Sequence, residues 1–197
     1  MKDLKVKITF TESVLGTMPN NAEVYSDFIA AKAPDASTLE DEIAAVGVAE
    51  VDAKGRTVFP RLEDGTPFLY DYQIRGFFKG VCGFLRMVPG TKSSGVKAYK
   101  KTIDGLIFVN ERKIPFHDVT EIGNCQRPLR AQTMQGERVS LASSDEIPAG
   151  AWIEFTVHMM RDSDEPLVRE WLDYGSYHGI GQWRNSGHGR FTWEEIA

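Results

Sequence analysis

Hydrophobic and polar residues alternate strictly at the start of the chain. Leu4, Val6, Ile8 and Phe10 are apolar, and the residues between them are polar or charged. Because the side chains of a strand point alternately to its two faces, this pattern predicts a strand with one buried face. Shorter apolar or alternating runs bounded by turn residues predict further strands at 56–60, 106–109, 114–116, 125–133, 137–142, 152–158 and 190–196.

Two later stretches have a helical period instead. Residues 72–88 place apolar side chains on one side and Arg75, Lys79 and Arg86 on the other. This stretch also contains three glycines, each of which weakens a helix by about 1 kcal/mol relative to alanine, and we interpret them as sites of close packing on the sheet. Residues 167–174 predict a second helix, since acidic residues and Pro166 precede it.

The segment between the first strand and position 66 is acidic and carries helix signals. Asn20 or Asn21 is suited to cap a helix that continues to about Lys32. Ser37 and Glu40 have the spacing of a capping box, which predicts a short helix before Gly47. We therefore expect residues 12–66 to form a mainly helical excursion after the first strand.

The order of these elements predicts the fold class. A strand, the helical excursion, a helix, several strands, a helix, a loop and a last strand indicate an α+β fold with an antiparallel sheet and packed helices. We expect residues 1–197 to form a single domain, with residues 89–101 as a basic loop. The first and last strands are expected to pair side by side at the centre of the sheet.

Charge is distributed unevenly along the chain, whose net charge is −5. Residues 72–140 carry 12 basic and 5 acidic side chains, whereas the segments on either side are acidic. A basic middle between acidic flanks predicts one basic surface on the folded protein.

Other features of the composition narrow the classes of function. No apolar run approaches the ~20 residues that span a bilayer, and no apolar signal core follows Met1. We therefore expect a cytoplasmic protein with no membrane partner.

The two cysteines, Cys82 and Cys125, lack metal-type spacing, and we interpret them as reduced structural thiols. No metal site and no cofactor is expected.

A glycine-rich segment near the end of the chain is the main candidate for a functional site. Residues 175–190 contain five glycines, and aromatic, histidine and arginine side chains lie between them. Glycine lets another backbone or a ligand approach closely, and the other residue types stack on bases or bind phosphate.

Two stretches together resemble the RAMP superfamily of CRISPR-associated proteins, particularly the backbone subunits that polymerise along guide RNA. One is Ile74-Arg-Gly-Phe-Phe-Lys-Gly, which opens the helix at 72–88. The other runs from Ile147 to the final strand and includes Gly179, Gly181, Gly187, Gly189 and Arg190 in the family's glycine-loop pattern. The resemblance implies a modified RRM or ferredoxin-like core, with 12–66 as an insertion and 89–101 as a candidate thumb. The whole chain also resembles phage and prophage proteins, which implies a location in the host cytoplasm.

The resemblance and the charge pattern together predict a binding protein for single-stranded RNA or DNA. We expect it to oligomerise on the strand, or to be a subunit of a larger nucleoprotein complex, without catalysing a reaction. Cations would neutralise phosphates and aromatic side chains would stack on bases. The candidate binding residues are Lys92, Lys97, Tyr99, Lys100, Lys101, Arg112, Lys113, Arg127, Arg130, Trp183, Arg184, His188 and Arg190. Tyr177 is a further candidate for stacking, and Ser93-Ser94-Gly95 beside Lys92 is a weaker candidate for holding phosphate.

Two other functions are consistent with the same residues. His178 and His188 are weak candidates for the acid and base of a metal-independent endoribonuclease, because a histidine near neutral pKa can take or give a proton. Alternatively, the protein is a phage anti-defence factor that imitates a CRISPR subunit and binds a host protein.

Overall fold

The computed structural model describes residues 1–20, 56–133 and 136–196, and within 129–133 and 136–141 it describes the backbone alone. It divides into two compact units. The first comprises Met1–Val14, Pro60–Glu121 and Ile147–Ala197, and the second comprises Leu15–Phe59 and Ile122–Glu146. The helices predicted at 21–32 and 37–46 lie outside the described residues, and the expectation of a single domain stays a prediction.

The described elements are eleven strands, three α-helices and four short 3-10 turns. The strands are β1 (Lys2–Phe10), β2 (Val14–Leu15), β3 (Met18–Pro19), β4 (Thr57–Val58), β5 (Phe68–Tyr70), β6 (Ile107–Val109), β7 (Lys113–Pro115), β8 (Gly123–Thr133), β9 (Gly136–Ile147), β10 (Trp152–Met159) and β11 (Phe191–Glu195). The helices are α1 (Asp71–Leu85), α2 (Tyr99–Leu106) and α3 (Glu165–Asp173). The 3-10 turns are Lys92–Gly95, Asp162–Asp164, Tyr174–Ser176 and Arg184–Ser186.

A four-stranded antiparallel sheet forms the centre of the first unit, in the order β11-β1-β10-β6. The register places Ile8 of β1 between Ile153 of β10 and Trp193 of β11. The predicted pairing of the first and last strands is therefore confirmed. Of these two strands, β1 lies inside the sheet and β11 lies at its edge.

One face of this sheet forms the core, as the alternation in β1 predicts. Leu4, Val6, Ile8 and Phe10 are all buried. Helices α1 and α3 cover that face, and the rings of Phe78 and Trp171 meet at 5.5 Å between centroids. Burial of each large apolar side chain contributes about 1.5–3 kcal/mol, so the packing of the two helices on the sheet dominates the stability of the unit.

The connections identify the architecture. In chain order the core is β1, α1, β6, β10, α3 and β11, which is a βαββαβ arrangement. The sheet order places the fourth of these strands beside the first, then the third and the second. The expected α+β class and ferredoxin-like core are confirmed.

Helix α2 was not predicted. The sequence pattern predicts a basic loop up to residue 101 and a strand from 106, whereas the structure has a helix over Tyr99–Leu106. The helix buries only Ile103, contains Gly105, and begins after Ala98, whose φ of 49° is left-handed and whose side chain provides no cap. A short helix with one buried residue and no capping residue leaves almost no periodic signal in the sequence.

The second unit is built on a hairpin of β8 and β9, which confirms the strands predicted there. Strand β9 also pairs with β2 and, in parallel, with β4, whose Thr57 lies opposite Ser144. An ion pair between Arg56 and the buried Asp145, at 2.6 Å, links β4 to the hairpin within this unit.

Gly76 in α1 provides a test of the helix. It lies in the interior of α1, and none of the described atoms lies within 4 Å of the position that a Cβ would occupy. We therefore expect Gly76→Ala to stabilise the protein by about 1 kcal/mol, because alanine is the better helix former. Urea denaturation followed by circular dichroism measures the change, and a loss of stability would contradict the open surroundings of Gly76. The close packing on the sheet that the sequence predicted for the glycines of α1 is wrong, because Gly76 is exposed and the nearest groups to Gly80 and Gly83 are the side chains of His178 and Tyr99.

Candidate nucleic-acid interface

The glycines of the segment 175–190 are required by the path of the backbone. A Cβ on Gly179 would lie 2.2 Å from the carbonyl oxygen of His188, and one on Gly189 would lie 1.9 Å from that of Ile180. The close approach is fixed by hydrogen bonds from Ile180 N–H to Gly189 O and from Gly189 N–H to Ser13 O, at 3.0 and 2.8 Å. The glycines thus fold the segment tightly on itself and against the chain beside β1, and the intervening side chains are what a ligand can reach.

Trp183 and His188 form a stacked pair on this segment. Their rings are 5.5 Å apart and nearly parallel at 9°, and 39% of Trp183 is exposed. The Ser13 hydroxyl lies 2.9 Å from Nδ1 of His188 and orients that ring. Trp183 has a φ of 52°, a conformation that is unusual for a bulky residue and that occurs frequently at binding sites.

His178 and Arg184 lie together against α1. Nη1 of Arg184 donates to Nε2 of His178 over 3.1 Å, and both side chains sit over Gly80. The imidazole also packs along Phe77 and against the edge of Phe84. Burial, and secondarily the guanidinium of Arg184, lower the pKa of His178 below its usual value of 6.5, so the ring is neutral at pH 7.

The lowered pKa of His178 predicts an acid-dependent loss of stability. Since the unfolded chain binds the proton more tightly, the contribution of His178 is fully present above pH 6.5 and is lost as the pH falls through the folded pKa. We expect the stability difference between the wild type and His178→Gln, measured in urea, to shrink between pH 7.5 and pH 5. His117→Gln controls for other effects of acid, because this ring stacks on Trp152 and contacts no carboxylate among the described residues. A difference that grows in acid would contradict the assigned environment.

A basic cluster surrounds the start of α2. Lys97, Lys100 and Lys101 are exposed there, and Arg86 from the end of α1 lies 5.2 Å above the ring of Tyr99. Among the residues that the structure describes, none of these four cations has an acidic partner within 4.0 Å. An open pocket of about 270 Å³ is lined by Arg86, Tyr99, Lys100, Lys101 and Ala98.

Helix α1 connects the two groups of side chains. The hydroxyl of Tyr99 lies 3.1 Å from where a Cβ on Gly83 would be, and His178 and Arg184 lie over Gly80. Phe84, next to Gly83, is 48% exposed and touches His178. We call this surface the α1 interface, and its side chains are Phe84, Arg86, Tyr99, Lys100, Lys101, His178 and Arg184.

Some of the predicted binding residues contact other side chains of the protein itself. Arg127 is 6% exposed in the second unit and donates to Ser144, so it is not presented to a ligand. Arg112 forms an ion pair with Asp71, and Lys113 lies over the ring of Phe68 at 5.4 Å. Arg130 belongs to β8, and its side chain lies outside what the structure describes.

The segment beside Lys92 holds a carboxylate of the protein itself. The backbone N–H groups of Lys92 and Ser93 and the Ser93 hydroxyl all donate to the carboxylate of Glu170, at 2.6 to 3.0 Å. The indole of Trp171 donates to the same hydroxyl. These donors attach the turn to α3, so the suggested phosphate site at Ser93-Ser94-Gly95 is occupied by Glu170, while the Lys92 side chain remains exposed.

Arg190 is half-buried next to Gly187, and its Nε is enclosed without a hydrogen-bond partner. It has no ion pair within the described part of the chain, so its charge is not neutralised there.

Sequence reasoning missed Phe84 and Arg86. Their signal was an aromatic residue and a cation beside glycines at the end of an amphipathic helix.

Comparisons with known proteins agree with the fold. No protein-family model matches the sequence, and no curated protein matches it significantly. Among solved structures, a chain of a Type IV-B CRISPR complex matches with a TM-score of 0.53 and 12% identity, covering 100% of this chain and 91% of that one. A chain of the Type III-B Cmr-beta structure bound to cognate target RNA matches with a TM-score of 0.50 and 9% identity. This second match covers 99% of the present chain, which spans only 58% of that chain's length.

These likenesses show the fold, which this chain shares with the matched chains of the two CRISPR complexes. None of the described helices is both long and apolar enough to cross a membrane.

Proposed function

We propose that this protein binds single-stranded nucleic acid, RNA or DNA, without catalysing its cleavage, as an oligomerising subunit. The observation that carries the proposal is the α1 interface. It combines four exposed cations without acidic partners in the described residues with two accessible aromatic side chains, Tyr99 and Phe84. Arg86, Lys100, Lys101 and Arg184 would contact phosphates, and the two rings would stack on bases of any sequence.

The glycine-rich segment extends this surface. Trp183 directly precedes Arg184 and presents a partly exposed ring that is already held parallel to His188. A ring that is fixed before binding loses little conformational freedom when a base stacks on it. We therefore include Trp183, His188 and Arg190 in the proposed site, and Lys92 and Lys97 at its border.

The partner and the oligomeric role rest on the fold and on the charge pattern. The structural neighbours are chains of a CRISPR complex and of Cmr-beta bound to target RNA, which supports RNA as the strand. The acidic flanks of one copy and the basic middle of the next would attract each other along the strand, although the net charge is −5. The phage origin and the anti-defence role expected from the sequence stay predictions.

The histidines favour binding over cleavage. Nε2 of His178 accepts a hydrogen bond from Arg184, and Nδ1 of His188 is held by Ser13. No carboxylate contacts either ring among the described residues, so neither has the acid partner that commonly orients a catalytic histidine.

Salt-dependent binding tests the proposal. Four phosphate contacts on a single strand give a slope of about −2.8 in log K against log salt, which weakens binding about 50-fold between 50 and 200 mM salt. Fluorescence anisotropy with labelled 20-nucleotide RNA and DNA measures the slope, and gel filtration with and without the strand measures the oligomer. A protein that stays monomeric and binds neither RNA nor DNA at 50 mM salt would refute the proposal.

A further inference from the structure

A column of aromatic side chains stands at the amino end of α1, at the other end of the helix from Phe84. The rings of Tyr70 and Tyr72 are 5.3 Å apart and nearly parallel at 17°, and Phe68 meets Tyr70 edge-on at 4.9 Å. Tyr72, the outermost of the three, is 46% exposed. The column therefore ends in a ring that solvent can reach, as a surface for stacking requires.

Cations lie along this column. The guanidinium of Arg112 is 5.2 Å from the ring of Tyr70 and 5.7 Å from that of Tyr72, and Lys113 lies over Phe68. Asp71 holds Arg112 and Arg75 through its two carboxylate oxygens, which fixes the guanidinium beside the rings. The Arg112 side chain nevertheless remains 66% exposed. Its charge is thus positioned but still accessible to a phosphate.

The column and the α1 interface face the same side of α1. Residues 72 and 83 are eleven positions apart, close to three full turns, so Tyr72 and the Tyr99 ring beside Gly83 lie on the same side of the helix. They are about 17 Å apart along the axis, at 1.5 Å per residue. Gly76 lies between them, and none of the described atoms lies within 4 Å of its Cβ position.

We propose that Tyr72 and Arg112 form a second stacking site for the same single strand that binds the α1 interface. A nucleobase would stack on Tyr72, and the adjacent phosphates would lie at Arg112 and Lys113. This inference rests on the proposed function. At the ~3.4 Å rise of stacked nucleotides, about 17 Å corresponds to about five nucleotides, so only longer strands engage both sites.

The length of the strand separates the two sites experimentally. We compare 4-nucleotide and 12-nucleotide single strands on the wild type, Tyr72→Ala and Arg112→Ala, using anisotropy at 50 mM salt. Each variant is expected to bind the 12-mer about tenfold more weakly than the wild type and the 4-mer within twofold of it. Asp71 keeps Arg75 as a partner in Arg112→Ala, so the variant retains a paired carboxylate.

Arg169→Ala is the matched control, because Arg169 is also a partly exposed arginine over an aromatic ring, Trp193, and its partner Glu165 keeps Lys2. It is expected to bind both strands as the wild type does. The second site is refuted if the variants bind the 12-mer as tightly as the wild type does. It is also refuted if they change the oligomeric state but not the difference in affinity between the 4-mer and the 12-mer. Neither result contradicts the proposed function. If no strand of either length binds the wild type, the proposed function itself fails.

Discussion

Replacing Lys100 and Lys101 together by alanine is expected to weaken the binding of single-stranded RNA or DNA about 25-fold at 0.1 M salt. Both side chains are exposed at the start of α2, beside Arg86 and Tyr99. Two lost phosphate contacts reduce the slope of log K against log salt by about 1.4, and over the decade from 1 M to 0.1 M this amounts to a factor of about 25. Anisotropy titrations across that range measure both the slope and the affinity.

The matched control removes two lysines from the opposite face of the sheet. Lys5 and Lys7 lie on the face of β1 that points away from α1 and α3. Lys5→Ala with Lys7→Ala changes the net charge by the same amount, so a general electrostatic effect would appear equally in both variants. We expect this control to keep the wild-type slope. If this control loses affinity and the Lys100→Ala, Lys101→Ala variant does not, the strand binds the face of the sheet opposite α1 and α3 instead.

Gly179→Ala is expected to destabilise the protein by about 3 kcal/mol, the upper end of what overpacking usually costs. The added Cβ would lie 2.2 Å from His188 O and 2.7 Å from Arg190 N, and both are backbone atoms that cannot rotate away. The segment would have to move off Ser13 and lose the hydrogen bond that Gly189 donates there. Urea denaturation followed by circular dichroism gives the free energy of unfolding.

Gly76→Ala is the internal comparison for Gly179→Ala, since the same substitution there meets open space and is expected to stabilise. A change of less than about 0.5 kcal/mol in Gly179→Ala would show that the segment 175–190 does not need its close backbone approach. Opposite signs at the two positions would support both the packing of the segment and the helical environment of Gly76.

The core of the fold could be predicted because its signals are local. The alternation of β1 and the helical period of α1 come from burial against one face, and burial dictates the residue type at every second or every third to fourth position. The glycine-rich segment was also recognisable as a candidate site, and its glycines allow the close approach of backbone atoms within it. Helix α2 left no such signal, because a single residue, Ile103, anchors it.

The candidate site was predictable only in part, because a sequence does not show which charged side chains have acidic partners in the fold. Arg112 and Lys100 are equally basic in the sequence, yet one pairs with Asp71 across 41 positions and the other has no acidic partner in the described residues. Arg127 looked like a surface cation and is buried against Ser144. Phe84 looked like a core residue of α1 and is half exposed. Each of these results depends on how different elements of the fold pack on one another.

Photochemical crosslinking locates the bound single strand on the surface of the protein. A 20-nucleotide single strand that carries a photoreactive uracil at every third position is bound to the wild-type protein, irradiated and mapped by mass spectrometry. We expect crosslinked peptides to contain Phe84, Tyr99 and Trp183, the accessible aromatic residues of the α1 interface and the adjoining segment. Crosslinks confined to Phe108 and Trp152, on the face of the sheet opposite α1 and α3, would show that the strand does not bind the α1 interface.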